Sequence, residues 1–416
     1  MALAQNEDGG RYGDDLEMTA IATSAWRPSS QAAYQASRRS SFRRAQMLRT
    51  GAFPTWDQLD DEAIAATLEW HEHDILMPNI TDVKTISSLA KMSNNAYSKK
   101  DGGDWIDPGG KWNVSDSFGW EEDGIRGHVF ADETNSTVVV AIKGTSAGFV
   151  GGGGSTGHND KTNDNLLFSC CCARVDWTWT PVCDCYDGSY KCKQDCLEEA
   201  VMQKSAYYPA ATDLFNNISA LYPRSQIWLT GHSLGGSLAG LLSRTYGVPS
   251  VSYESPGDLL PAKRLHLPNP PPSTKFKRGS SLGPDITTHL MWSVGRLGWN
   301  VDIRTHRIKS VIERVLIEDW GVSEDDKRKA ERSVQIEANL KRQRRSLFGW
   351  WPLPGKRTGD EDDDGPGDDE GNDRKKKKKK PDDDDDDGQH GGRGVPSPRL
   401  EDADCWEQEC FRWTYE

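Results

Sequence analysis

Apolar positions along the chain fall into two kinds of pattern. Val138-Val139-Val140-Ala141-Ile142 is a continuous, largely β-branched run, as expected of a strand buried on both faces, and Lys143-Gly144-Thr145 ends it as a loop. Shorter strings, Gln226-Ile227-Trp228-Leu229-Thr230 and Ser250-Val251-Ser252-Tyr253-Glu254, predict two more strands. Elsewhere apolar residues recur at helical spacing. Leu59, Ile64 and Leu68 predict a helix over 57–70, and Ile86, Leu89, Met92 and Tyr97 another over 83–97. Asp195 reads as the N-cap of a helix reaching Leu221, with Leu197, Val201, Leu214, Ile218 and Leu221 on its apolar side. A helix over 234–246 and a last amphipathic one carrying Ile308, Val311, Ile312, Val315 and Leu316 complete the set. Strands alternating with helices predict a largely parallel sheet in an α/β domain.

Three stretches carry no such pattern. Residues 1–54 are rich in Gln, Ser, Arg and Ala, with a basic run at Arg38-Arg39-Ser40-Ser41-Phe42-Arg43-Arg44, and read as a linker or tail. Residues 149–196, with four consecutive glycines, most of the cysteines, Trp177 and Trp179, are too long for an ordinary connection and read as a lid-like insertion. Residues 323–400 become a block of lysines, 375–380, against a block of aspartates, 382–387; like charges repel and bury nothing, so disorder is expected. The lysines as a membrane-surface tether are the other reading, but the adjoining aspartates cancel their field within a Debye length. The ordered domain is therefore expected at 55–322, with a short Cys/Trp segment at 401–416.

Composition agrees with that division. Of 416 residues only 35% are hydrophobic, and the net charge of −13 is concentrated: residues 359–393 hold 15 acidic and 8 basic side chains. The folded part is thus only mildly acidic, which excludes the clustered basic face of a general nucleic-acid binder. No run of 18 apolar residues exists to span a bilayer, and the first ten residues lack the apolar core of a signal peptide. Two features nevertheless point to the secretory pathway, so a fuller N-terminus bearing the signal or anchor is expected. Cys170, Cys171, Cys172, Cys183, Cys185, Cys192 and Cys196, with Cys405 and Cys410, read as a disulfide-stapled loop. Sequons at Asn79, Asn113, Asn135 and Asn217 offer glycosylation sites. A zinc site is the alternative for the cysteines, but their spacing is unlike regular C-x2-C pairs and no histidine lies among them.

The chemistry centres on Gly231-His232-Ser233-Leu234-Gly235, a G-x-S-x-G between a predicted strand and a predicted helix. Such a turn lifts the serine hydroxyl above the sheet edge, and the Leu234 N–H becomes an oxyanion donor. The serine needs a histidine to take its proton and a carboxylate to orient that histidine, both later in the chain. Four histidines follow: His266, too close behind the strand to leave room for an acid; His289; His306, opening the last helix; and His390, in the charged tail. His306 is preferred, with His289 kept open.

These residues resemble the class 3 lipases, specifically the autophagy-related vacuolar lipases of fungi. The likeness runs through Met92-Ser93-Asn94-Asn95-Ala96-Tyr97, Ala141-Ile142-Lys143-Gly144-Thr145-Ser146, the cysteine-rich stretch, Leu229–Ser237, Tyr253-Glu254-Ser255-Pro256-Gly257-Asp258, the segment 298–308 and the terminal Cys405, Cys410 and Trp413. The resemblance implies an α/β-hydrolase fold of class 3 lipase type with disordered N- and C-terminal tails. It makes Ser233 the nucleophile, His306 the base and Thr145 the second oxyanion donor, with no metal or organic cofactor. It also implies a lipid or membrane substrate, acylglycerol or phospholipid, including phosphoinositide-containing membranes, and no nucleic acid. The place implied is the vacuole lumen, reached through the multivesicular body by an anchored protein, where such lipases break down autophagic and multivesicular membranes.

The departure from the family lies in the triad acid. The Ala-Asp-Pro segment expected before the Gly-Trp motif is not found between Pro272 and Leu297. That segment is missing from this sequence, or Asp285, 52 residues after Ser233 and 21 before His306, stands in for it, or another acid does. Asp302 belongs to the motif of the base itself. Loss of the acid motivates another reading, a catalytically impaired lipid-binding protein, and a soluble carboxylesterase is the alternative enzyme.

Overall fold

The computed structural model describes residues 18–51, 67–80, 82–100, 102–110, 112–121, 123–146, 156–172, 181–203, 206–271, 306–316, 410 and 412–416, and the backbone of 289–292. All belong to one compact unit, residues 1–320 with 395–416; a second, residues 321–394, lies outside the described residues. In chain order the described elements are β1 (Ala20–Pro28), α1 (Gln31–Thr50), β2 (Trp70–Pro78), α2 (Val83–Asn95), β3 (Asn113–Phe118), β4 (Gly127–Ala131), β5 (Thr137–Ile142), α3 (Gly157–Phe168) and β6 (Lys191–Cys192). Then come α4 (Gln194–Met202), α5 (Tyr207–Leu221), β7 (Gln226–His232), α6 (Leu234–Tyr246), β8 (Ser250–Tyr253), α7 (Leu259–Arg264), β9 (His289–Trp292), α8 (Ile308–Ser310), which runs on as a π-helical turn (Val311–Val315), and β10 (Thr414–Tyr415).

The central sheet has the order β3-β4-β5-β7-β8-β9. Its first three strands are antiparallel neighbours, and from β5 onward every pairing is parallel. Alternation along β5 sorts the core into two layers. Val138, Val140 and Ile142 join Ile227 and Leu229 of β7 beneath α5 and α6. Val139 and Ala141 join Trp228 and Tyr253 on the other face, covered by Ile86, Leu89 and Met92 of α2 and by Ile308, Val311, Ile312 and Val315. A strand buried on both faces must be apolar throughout, which is why this run was readable without its neighbours.

Several expectations are corrected. Residues 20–50, expected within a tail, form β1 and α1. The partner of β1 is β2, in a separate antiparallel pair running from Ala20↔Pro78 to Pro28↔Trp70. Helix α1 buries mostly small or amphipathic residues, Ala33, Tyr34, Ala36 and Arg38, the last donating through Nε to the Leu265 carbonyl at 2.7 Å. The helix expected over 57–70 lies largely outside the described residues, and Trp70 opens β2 instead. The helix expected from Asp195 to Leu221 is two helices. Lys193 takes the N-cap position with Asp195 in the first turn, and the chain leaves the helix at Gln203. Pro209 lacks an N–H and its ring would clash with the carbonyl four residues earlier, so it suits the first turn of α5 and not a helix interior.

Residues 149–196 do not form one loop: α3 and β6 lie within them, while Trp177 and Trp179 fall outside the described residues. All seven cysteines of the cluster are bridged, as Cys170–Cys410, Cys171–Cys192, Cys172–Cys183 and Cys185–Cys196. Cys172, Cys183 and Cys185 bring their sulfurs within 4.8 Å of one another, but as disulfides they offer no thiolate to a zinc ion. The C-terminus is drawn onto this knot: β10 pairs in parallel with β6, and Tyr415 donates its hydroxyl to the Cys170 carbonyl at 2.8 Å. The Cys170–Cys410 bridge closes a separation of 240 residues, and such a loop restricts the unfolded chain by about 5 kcal/mol in the chain-entropy account. Nonreducing peptide mapping is expected to recover that cross-link. Finding the cluster fully alkylatable as free thiols would remove both the staple and the oxidising-compartment argument.

Candidate active site

The parallel register sets which loops meet. Ile142 of β5 lies opposite Gly231 of β7, and His232 of β7 opposite Tyr253 of β8. The residues that follow these strands, 143–145, 233 and 254, therefore emerge side by side at the carboxyl edge, where open α/β sheets bind their ligands. Ser233 makes the turn from β7 into α6 with φ 56° and ψ −131°, a backbone conformation that an L-residue adopts only when its surroundings impose it. Its N–H donates to the Tyr253 carbonyl at 3.0 Å, which ties the turn to the next strand. Gly235 lets α6 pack against β5: a Cβ there would sit 2.1 Å from the Ile142 carbonyl oxygen. Gly144 has the same role across the site, since its Cβ would meet the His232 carbonyl oxygen at 2.2 Å.

Ser233 and His306 meet, with Nε2 at 2.9 Å from Oγ. Leu234 is the first residue of α6, so its N–H has no carbonyl partner one turn earlier within the helix. Thr145 Oγ1 is buried and has no hydrogen-bond partner among the described residues. An unsatisfied buried hydroxyl is costly unless something else completes it.

The other candidates lie elsewhere. His289 pairs with Ser250, the first residue of β8, and so sits at the amino edge of the strands, away from Ser233. His266 is held by Glu198, Nε2 to Oε2 at 3.0 Å, and packs edge-on against Phe42. Asp285, Asp302 and His390 lie outside the described residues. Asn113, Asn135 and Asn217 are exposed, and Asn79 is half-buried.

Sequence reasoning missed three contributors. His232, inside the motif, donates from Nε2 to the His306 carbonyl at 2.6 Å and accepts the Tyr97 hydroxyl at Nδ1, 2.7 Å. Burial, with the neighbouring His306, lowers its pKa to about 3, so it is neutral and this pair of bonds sets its tautomer. His232 thereby fixes the backbone of His306. Lys143 is the second. Its buried ammonium donates to Asp160 Oδ2 at 2.5 Å, to the Gly144 carbonyl at 3.0 Å and to Thr156 Oγ1 at 3.0 Å. Asp160 Oδ2 also accepts the Ser146 N–H at 3.0 Å, so one carboxylate pins both sides of Thr145. The third is Glu254, whose carboxylate lies behind His306, with Oε2 3.9 Å from Nδ1.

Asp164 on α3 also feels this site. Burial raises its carboxyl to about 6, the attraction of His306 opposes that rise, and Asp160 adds to it. With the folded pKa above the ordinary value of 3.8, the native chain holds more protons than the unfolded one between about pH 4 and 6. Stability from this group is therefore present in acid and lost as pH rises through that window. Asp164→Asn is expected to raise stability at pH 7 by on the order of 2 kcal/mol, with the gain vanishing below about pH 4. Thermal unfolding across pH checks this, and a gain independent of pH would contradict it.

A serine at a strand-to-helix elbow, a histidine on its hydroxyl and a sheet covered by helices on both faces define the α/β-hydrolase class. The sequence profile described as Lipase (class 3) matches residues 171–248. A relative from Cryptococcus neoformans var. neoformans serotype D (strain B-3501A), named "Putative lipase ATG15", is 42% identical over 394 residues, covering 83% of this chain and 70% of its own. One of the same name from Mycosarcoma maydis is 43% identical over 327 residues, covering 70% of this chain and 62% of its own. Among solved structures, the Lip2 lipase of Yarrowia lipolytica is 15% identical with a TM-score of 0.26, covering 50% of this chain and 77% of that one. The chain belongs to the class 3 lipase family, among the fungal lipases of the ATG15 group. Its class is that of ester hydrolases.

Proposed function

We propose that this protein is a serine lipase cleaving acyl esters of acylglycerols or phospholipids, with Ser233 as nucleophile and His306 as base. The single observation that carries this reading is the 2.9 Å contact of His306 Nε2 with Ser233 Oγ at the elbow. In the reaction Ser233 Oγ bonds to the ester carbonyl carbon while its proton passes to His306 Nε2. The oxyanion is held by the Leu234 N–H and by Thr145. His306 returns the proton to the departing alcohol, and water activated by the same nitrogen then releases the fatty acid.

Substrate and place belong to the same proposal. The family resemblance points to membranes of autophagic and multivesicular bodies, phosphoinositide-containing ones included, in the vacuole lumen. Four disulfides and three exposed sequons suit an oxidising compartment and N-glycosylation. Among the described residues no helix is long and apolar enough to cross a membrane.

A p-nitrophenyl alkylphosphonate, which leaves a stable phosphonyl ester on an activated serine, is expected to mark Ser233 alone. Turnover is expected to be higher on emulsified triolein and phosphatidylcholine vesicles than on short soluble esters. Labelling elsewhere would end the mechanism. A strict preference for acetyl and butyryl esters would turn the reading to a soluble carboxylesterase, and specific vesicle binding without turnover to a lipid-binding protein.

A further inference from the structure

His306 spends Nε2 on Ser233, so only Nδ1 remains through which a carboxylate could orient the ring and stabilise its charged form. The described group facing that nitrogen is Glu254, with Oε2 at 3.9 Å and a side chain only 2% exposed. We propose that Glu254 is the positioning carboxylate of His306, in place of an acid from the segment where the family carries it. The proposal rests on the serine-lipase reading above.

Three observations support it independently of that distance. First, Ser233 and Glu254 each follow the last paired residues of adjacent parallel strands, His232↔Tyr253, so the register itself places them next to each other. Second, Glu254 has φ 48°, a left-handed backbone unusual outside glycine. The turn that holds it is tied to the elbow, because Ser233 N–H donates to the Tyr253 carbonyl and the Ser252 and Ser255 hydroxyls meet at 2.9 Å. Strain of this kind persists where surrounding structure enforces it, and it gathers at functional sites. Third, the order along the chain is serine, acid, base, the order of α/β-hydrolase triads. At 3.9 Å the pair is an ion pair in waiting: catalytic contacts are often long without substrate and tighten when the imidazole gains its proton.

Among the described residues Asp164 also senses His306, but burial raises its carboxyl to about 6, and a partly protonated acid is the weaker partner for an imidazolium. Glu254 acts through His306 and touches no substrate. Its effect is to favour the tautomer with the proton on Nδ1, which leaves Nε2 free to accept the Ser233 proton. A glutamine at 254 can donate its amide N–H to Nδ1 and so favour the opposite tautomer, in which Nε2 already carries a proton.

Glu254→Gln is therefore expected to lower kcat on long-chain esters by about 10²- to 10⁴-fold with KM changed less than about 3-fold. Labelling of Ser233 by the phosphonate should slow in proportion. In the unmutated chain, nitrogen-15 NMR of labelled histidine should show His306 protonated on Nδ1 at neutral pH, a measurement that does not depend on the variant folding. Wild-type kcat in Glu254→Gln, or an Nε2–H tautomer of His306 in the unmutated chain, overturns the proposal. So does a collapse of kcat in Asp285→Asn with none in Glu254→Gln. If the unmutated chain is not labelled at Ser233 at all, the serine-lipase reading fails first, and the two failures are told apart.

Discussion

Replacing Ser233 by alanine is expected to lower ester turnover by about 10⁶-fold, the scale seen when a triad nucleophile is removed. The reasoning is local. Among the described residues His306 Nε2 meets only the Ser233 hydroxyl, so without Oγ no covalent step is available and the base has no proton to take. What remains is binding and the oxyanion donors, worth about 10³-fold over water. The fold should hardly notice. Alanine meets the same left-handed strain at φ 56° as serine does, and the elbow is held by the 3.0 Å bond from its backbone N–H, which the substitution keeps. Stability within about 1 kcal/mol of the parent and a kcat on emulsified triolein below one part in about 10⁵ are the expected pair of results. A variant retaining about a tenth of the rate would place the nucleophile elsewhere.

Asp160→Ala is expected to be the most destabilising single change near the site, by about 3–5 kcal/mol in urea unfolding. Lys143 and Asp160 have side chains 5% and 3% exposed, so removing the carboxylate leaves an ammonium in the interior with the Gly144 carbonyl, the Thr156 hydroxyl and the face of the Tyr97 ring but no counter-charge in contact. Burial already lowers the Lys143 pKa, with Asp160 the main opposing influence. The same change unties the Ser146 N–H and leaves the Tyr207 hydroxyl, now 2.9 Å from Oδ1, without its acceptor. Since these bonds bracket Thr145, activity should fall as well, and by more than stability alone accounts for when assayed well below the melting temperature. Adding Lys143→Met to Asp160→Ala should recover a large part of the stability, because the buried charge goes with it. It should not recover the activity. A single-variant cost below about 1 kcal/mol would mean that water reaches this pair freely.

The sequence by itself determined the parts whose signal is carried by neighbours along the chain. β5 and β7 were readable because a strand buried on both faces must be apolar at nearly every position. The strand, Gly-x-Ser-x-Gly turn and helix are consecutive, so Ser233 and the Leu234 N–H were visible as a unit. The last amphipathic segment was visible for the same reason, and it buries Ile308, Val311, Ile312 and Val315 as its spacing requires. Thr145 entered through a family likeness and His306 through its place at the start of the last helix, and geometry then set His306 against Ser233 and Thr145 at the same edge of the sheet.

What the tertiary structure decided is whatever depends on partners far apart in sequence. β1 and α1 looked like tail because Ala20–Pro28 has no period of its own to show, and its partner β2 begins only at Trp70. His289 and His306 could not be separated until the β8–β9 register put one at the amino edge and Oγ of Ser233 met the other. The cysteines announced disulfides without saying which, and Cys170 finds Cys410 across 240 residues. Lys143 and Asp160 read as ordinary charged residues until α3 folded over the end of β5 and closed water away from both. Glu254 was passed over because an acid was sought downstream, by segment, whereas the position that faces His306 is set by strand register. Periodicity and motif report the environment a residue needs from its immediate neighbours; pairing, burial of charge and the aim of a side chain are properties of surfaces that only long-range packing brings together.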